Sequence, residues 1–356
     1  MAVRRHPTHE KGKGSLSRRE RHVLEAVVRT YVDTAEPAGS RTLSRRFDFG
    51  VSPATIRNTM ADLEEDGYLT HPHTSAGRVP TELAYRFFVD RVVRPESLTR
   101  SEKIRIEREI LSGDGTLERI LENATRALGL LVNELGVGSV PQLDQARLEK
   151  IDLISVSSQK VLMVVTIKSG MVRTVYVDLP GEAPPDVLES IERVLNERLA
   201  GLSFAEIRRS FGARLRDAVE DPAALDVLNI FIESSEDFFA TGTSGPEQVV
   251  LGQTSAIVGQ PEFSTNEGLR ELIALTEQKE LLAKVLGTRA VRGGPCVTIG
   301  SEHGPELSGF TLVTSGYRFG SLRGILGVIG PTRMPYEKVI AIVDYTSSLV
   351  TSMLKP

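Results

Sequence analysis

Ser52-Pro53-Ala54-Thr55-Ile56-Arg57-Asn58-Thr59-Met60-Ala61-Asp62-Leu63-Glu64-Glu65-Asp66-Gly67 reads as one helix whose start and stop are both written in the chain. Pro53 stands at the first helical position, where a missing amide has no intrahelical partner to lose, and Ser52 before it can cap. Gly67 ends the run. Ile56, Met60 and Leu63 fall on one face, which leaves Ala54, Thr55, Arg57, Asn58 and Thr59 near the N-terminal end and mostly outward. A helix lying in the major groove of DNA needs short residues that let the backbone approach, with Arg or Asn to make paired hydrogen bonds to base edges. The acidic residues Asp62, Glu64, Glu65 and Asp66 come later, where they should point away from phosphates.

Ser17-Arg18-Arg19-Glu20 has the form of a capping box, so a first helix is expected from Ser17, with Leu24, Val27, Val28 and Tyr31 as its apolar stripe. Glu36-Pro37-Ala38-Gly39 makes a turn, and Ser40 can cap a second helix carrying Leu43 and Phe47. Asp48-Phe49-Gly50-Val51 is a short turn into the helix after Ser52. Beyond Gly67, Tyr68-Leu69-Thr70 can form a strand, and the turn-rich HPHTSAGRVP (residues 71–80) carries Arg78 as a wing would. Thr81-Glu82 opens a fourth helix with Tyr85, Phe88, Val89 and Val92 on its apolar side. Together these elements predict a winged helix-turn-helix over residues 16–94. Thr55, Arg57 and Asn58 are the candidate base-reading residues, and Arg41, Thr42, Ser52 and Arg78 the candidate phosphate and wing contacts. His71 and His73 have no third ligand nearby, so no metal site is assigned.

Charge is distributed unevenly. The first 60 residues hold 12 Lys and Arg against 6 Asp and Glu, a balance of +6 in a chain whose total is −4, so the remainder carries −10. Basic surface at one end of an acidic chain is expected where that end meets a polyanion. Residues 1–15 read as a disordered basic arm. The lone Cys296 excludes an internal disulfide and reads as a small buried hydrophobe. No run reaches the ~18 apolar residues of a membrane span, and a cytoplasmic protein is expected. No catalytic residue and no cofactor is assigned, because the chain has no metal-ligand cluster, nucleophile elbow or P-loop. An enzyme is therefore the unsupported alternative, and a metabolite-responsive winged-helix regulator the second.

The segments EPAGSRTLSRRF (36–47) and VSPATIRNTMADLEEDGYLTHPHTSAGRVPT (51–81) resemble the HrcA family of heat-inducible transcription repressors. The resemblance is strong over residues 16–94 and weaker across the rest, and the extension before Leu16 lies outside it. It implies a homodimer that binds double-stranded DNA at the CIRCE inverted-repeat operator, upstream of chaperone operons of the groEL and dnaK type. It further implies that the GroEL chaperonin keeps the repressor active, and that repression fails under folding stress. A two-fold operator demands a two-fold protein. For the fold, the resemblance implies an α+β multidomain chain: the winged helix-turn-helix, then a GAF-like α+β domain interrupted by a mainly helical dimerisation insert.

The remaining sequence can be divided to match. Leu117–Leu135 carries Leu121, Ala124, Leu128 and Leu131 at helical spacing, and residues 150–179 alternate as a β-hairpin around Lys168-Ser169-Gly170. Pro184-Pro185 opens a helical region reaching Phe239, with Leu195, Leu199, Phe204, Ile207, Leu225, Leu228, Ile230 and Phe231 available to pack. Strands are expected near 249–258, 296–299, 309–314 and 321–329, before a closing helix over 336–354. Gly293-Gly294-Pro295 reads as a turn and not a phosphate cradle, since no Lys-Ser/Thr follows. The expected division is a GAF-like regulatory domain at 95–180 and 246–356, with the dimerisation insert at 181–245.

Overall fold

The computed structural model describes residues 16–72, 77–112, 116–141, 145–168, 170–215, 222–233, 249–289, 294–320 and 322–354. The expected arm at 1–15 and His73 lie outside them. Two compact units emerge from the contacts, one comprising Met1–Ser139, Val249–Gly316 and Ile325–Val350, the other Val140–Gln248, Tyr317–Gly324 and Thr351–Pro356.

The first unit begins with α1 (Arg18–Thr34), α2 (Ser40–Arg46), α3 (Pro53–Glu65), the short antiparallel strands β1 (Leu69–Thr70) and β2 (Val79–Pro80), and α4 (Glu82–Arg91). The capping box forms: Ser17 N donates to Glu20 Oε2 at 2.7 Å, and Glu20 N to Ser17 Oγ at 3.3 Å. A cap of this kind contributes about 1 kcal/mol. The second helix differs from expectation, since Ser40 is its first residue and Gly39 its cap, with no side-chain bond. Val23, Leu24, Val27, Val28, Leu43, Ile56, Leu63 and Leu69 close a small core between these elements.

After α5 (Arg100–Ile110) and α6 (Leu117–Val132) comes β3 (Leu135–Ser139), whose burial leaves no alternation to read. With β7 (Val249–Leu251), β8 (Cys296–Ile299), β9 (Phe310–Phe319) and β10 (Leu322–Pro331) it builds a five-stranded sheet in the order β7-β3-β10-β9-β8. β3 pairs antiparallel with both β7 and β10, and β8 with β9. Helices α10 (Asn266–Glu277) and α11 (Lys279–Gly287) pack Leu272, Leu275, Leu282 and Leu286 into a core with Leu135, Val137, Leu312 and Ile329. The closing helix α12 (Tyr336–Met353) buries Val339, Ile340, Ile342 and Val343.

Polar contacts within this unit fix the N-terminal elements to its sheet and α12. Arg333 donates through Nη1 to the carbonyl of Val32 in the last turn of α1 (2.9 Å), while Nε and Nη2 hold Glu262 at 2.7 and 3.0 Å. Arg29 on α1 meets Glu337 on α12 at 2.9 Å. From α4, Arg86 reaches the carbonyl of Val297 (2.9 Å) and Glu302 (3.1 Å), and Glu82 accepts from Ser301 Oγ at 2.6 Å. Gly300 has φ +52° and an added Cβ would fall 2.0 Å from Glu82 Oε1, so glycine is required where α4 meets the turn after β8.

The second unit contains a three-stranded antiparallel meander, β4 (Leu148–Ser157), β5 (Lys160–Ile167) and β6 (Val172–Asp178), with α7 (Pro185–Leu199), α8 (Phe204–Leu215) and α9 (Pro222–Glu233). One face of the sheet buries Ile151, Val161, Met163, Val165 and Val177 against Ile191, Leu195, Phe204, Ile207, Phe211, Leu228 and Phe231 from the helices. Asn196 braces the outer strand β4, accepting from Ile151 N at 2.8 Å and donating to Ile151 O at 2.7 Å. The expected hairpin over 150–179 is thus three strands, because the chain also reverses at Ser158-Gln159. Its sheet shares a core with the helices after Pro184, and the second compact unit begins at Val140.

Candidate nucleic-acid interface

Helix α3 is built as its sequence dictates. Ser52 Oγ accepts from Thr55 N at 3.2 Å and Pro53 occupies the first position. Ile56, Met60 and Leu63 are buried, and Asp66 N and Gly67 N bond back to Asp62 O and Glu64 O before Gly67 turns the chain at φ +80°. With that face anchored, Arg57 and Asn58 are exposed and Thr55 is half-exposed. Thr59 corrects the expectation: it is buried, and its hydroxyl donates to Thr55 O at 3.1 Å, because it lies a single turn after Thr55 on the flank of the inward stripe.

Arg41 and Thr42 are exposed in the first turn of α2, and Ser52 is exposed at the start of α3. Arg45, which is not among the residues expected from the sequence, is exposed one turn beyond Arg41. It lies at helical spacing from Arg41, a signal that could have been read. Arg46 is held by Asp33.

Arg78 does not stand free on a wing. Its backbone pairs with Ala38 in both directions, at 2.8 and 3.0 Å. Its guanidinium meets Glu64 Oε2 on α3 at 2.8 Å and also contacts His71, which in turn bonds Glu64. The Arg78 side chain is only 17 % exposed. Glu64, one of the acidic residues expected to point away from phosphates, therefore ties the last turn of α3 to the strand pair β1–β2. Gly77 precedes this junction, where an added Cβ would fall 2.5 Å from the Ala38 backbone. The result is an anchored α3 with a polar outer end, flanked by exposed basic residues of α2. Such a surface can lie along a polyanion and present hydrogen-bonding side chains to it.

Among the described residues no group of three or more His, Cys, Asp or Glu is arranged to hold a metal ion, and no helix is long and apolar enough to cross a membrane. Cys296, expected to be buried, is half-exposed on β8 because it is the first residue of that strand.

The model of the HrcA protein C-terminal domain matches residues 118–340. A heat-inducible transcription repressor HrcA of Chlorobium phaeovibrioides is 37 % identical, the alignment covering 96 % of this chain and 99 % of that protein. The HrcA of Pelotomaculum thermopropionicum is 34 % identical, with 96 % and 97 % covered. A crystal structure described as a hypothetical protein at 2.2 Å resolution aligns with a TM-score of 0.57 at 22 % identity, covering 96 % of this chain and 99 % of that one, which shows a shared fold. The full-length relatives are transcription repressors by name, which places the chain in a class of regulators. The chain belongs to the HrcA family.

Proposed function

We propose that this protein represses transcription of heat-inducible chaperone operons of the groEL and dnaK type, binding the CIRCE inverted repeat as a homodimer. Repression is lost under folding stress, when the GroEL chaperonin no longer keeps the repressor active. The protein performs no catalysis in this role and acts in the cytoplasm.

The observation that carries the reading is the outer end of α3. In this reading α2, its turn and α3 form the helix-turn-helix, and β1–β2 with the loop between them form the wing. Thr55, Arg57 and Asn58 read bases, while Arg41, Thr42 and Ser52 contact phosphates, joined by Arg45. Arg78 acts at the backbone from the base of the wing, where Glu64 orients it. The charge excess of the first 60 residues supports the same placement.

Dimerisation is assigned to the second unit. The sheet face turned away from its helices carries Ile154, Leu162 and Tyr176 in one cross-strand register, with Val164 and Val172 beside them. Ile154, Val156, Val172 and Tyr176 are among the exposed large apolar residues. An apolar sheet face of this kind suits a second copy of the chain. The five-stranded antiparallel sheet with its flanking helices serves as the GAF-like regulatory body.

Binding of the purified protein to a CIRCE-type repeat and to a scrambled duplex, at two salt concentrations and with and without GroEL, tests the proposal. Selective binding to the repeat, enhanced by GroEL, is expected. Equal, salt-sensitive binding to both duplexes contradicts the operator assignment, and selective binding indifferent to GroEL contradicts the chaperonin's part.

A further inference from the structure

Three side chains from separate places in the first unit close a ring of bonds beside α3. Glu64 stands in the last turn of α3, His71 directly follows β1, and Arg78 directly precedes β2. Glu64 Oε1 bonds His71 Nδ1, His71 Nε2 bonds Arg78 Nη1, and Arg78 Nη2 returns to Glu64 Oε2 at 2.8 Å. All three side chains are partly exposed.

The ring of bonds admits one form of the imidazole. A guanidinium can only donate, so the Nε2 that faces Arg78 is an acceptor. A carboxylate paired with that guanidinium can only accept, so the Nδ1 that faces Glu64 carries the hydrogen. Each neighbour alone would leave the other nitrogen open. Together they select the neutral imidazole with its hydrogen on Nδ1, and exclude both the imidazolium and the Nε2–H tautomer.

His71 contributes what Glu64 alone does not. An arginine side chain carries about 2 kcal/mol of rotamer entropy, and one ion pair does little to restrict it. A second bond, at the other terminal nitrogen, fixes the plane of the guanidinium. Each Nη keeps a second hydrogen outside the ring, free to meet a phosphate oxygen. Backbone bonds to Ala38 in both directions hold the root of the same residue.

We propose that neutral His71 is a positioning residue: it holds the Arg78 guanidinium in one orientation for a phosphate of the DNA backbone and makes no DNA contact itself. Both its nitrogens are already engaged by Glu64 and Arg78. The consequence for DNA rests on the reading of Arg78 as a backbone contact, whereas the form of the imidazole does not.

Long-range proton–nitrogen NMR spectra of the full chain with isotope-labelled histidine, at about pH 8 and without DNA, read the tautomer directly. The signal missing from His71→Gln identifies the residue. The Nδ1–H form is expected in the parent, and an average of the two tautomers in Arg78→Ala. An Nε2–H or averaged imidazole in the parent overturns the proposal. Affinity then tests the role. On operator and scrambled duplexes alike, His71→Ala should weaken binding several-fold, yet have no further effect where Arg78 is already alanine. His71→Gln, which offers one donor and one acceptor, should recover most of the affinity. Should His71→Ala fail to fold, His71→Phe keeps the bulk without the nitrogens and takes its place in the same comparison. An equal loss in the two backgrounds makes His71 a DNA contact in its own right and overturns the positioning role, as does unchanged binding by His71→Ala. A parent that does not prefer the operator counts against the operator assignment and leaves the tautomer result standing, so the two failures are distinct.

Discussion

Arg333 Nη1 donates to the Val32 carbonyl across 2.9 Å, so the C-terminal turn of α1 is bonded to the loop that leads into α12. The same guanidinium is held by Glu262 and by Gln260, whose Oε1 accepts from Nη2 at 2.7 Å. The first helix of the candidate DNA-binding module and the five-stranded sheet are thereby parts of one bonded assembly. Arg333→Met leaves Glu262 and the Val32 carbonyl without this partner. A loss of about 2 kcal/mol in unfolding free energy is expected by denaturant titration, the scale of a hydrogen bond to a charged group. An unchanged midpoint would contradict the role given to Arg333.

Glu134 is buried just before β3, with Oε1 3.4 Å from Gln260 Nε2 and Oε2 without a hydrogen-bond partner among the described residues. Burial pushes its carboxyl well above the usual value of 4.5, opposed by the nearby charge of Arg333 and reinforced by Glu262. A carboxyl raised in the folded state binds its proton more tightly there than in the unfolded chain. Its contribution to stability is present below 4.5 and is lost as pH rises through the folded value. Glu134→Gln should therefore be more stable than the parent at mildly alkaline pH, with the difference shrinking as pH falls toward 4.5. Parallel stability curves for the two proteins across that window would contradict the assignment.

Glu64 and Arg78 connect the end of α3 to β2. Arg78→Ala should weaken operator and scrambled DNA equally, since it removes the proposed backbone contact and loosens the strand pair without touching base edges. Losing much more on the operator than on scrambled DNA would make Arg78 a base reader. Glu64→Gln keeps the shape but removes the ion pair, and on a pair this little exposed a stability loss of about 1–2 kcal/mol is expected.

The exposed sheet face in the second unit makes its own prediction. Ile154→Lys with Tyr176→Lys places two charges on the apolar row without entering the core. Sedimentation equilibrium should show a folded monomer, because central interface residues commonly contribute about 2 kcal/mol or more each. A variant that still forms the proposed dimer would move the interface elsewhere.

Much of the N-terminal module was legible in the sequence because its signals are local. Ser17 with Glu20, Ser52 with Pro53, and Gly67 are each read within a few residues of their effect. The stripe Ile56, Met60, Leu63 gave the buried face of α3, and therefore the outward placement of Arg57 and Asn58. Thr59 was misplaced because a residue on the flank of a stripe is buried by its neighbours and not by its own polarity. Arg78 was legible only as a basic residue in a turn-rich segment, because its pairing with Glu64 spans 14 positions and follows only from the folded strand pair. In the rest of the chain the signals weaken. β3 and β10 are buried along almost their whole length and show no alternation, and α5 is so polar that its two buried residues, Ile106 and Ile110, mark no clear face.

The most direct test of the central claim is the affinity of Arg57→Ala for a CIRCE-type inverted repeat and for a scrambled duplex of the same length, measured at one fixed salt concentration. Arg57 is exposed on α3 beside its anchored face, so the fold should survive the change. Binding to the repeat is expected to fall by about 1–3 kcal/mol per half-site contact, with little change on scrambled DNA. Equal losses on the two duplexes would contradict a base-reading α3.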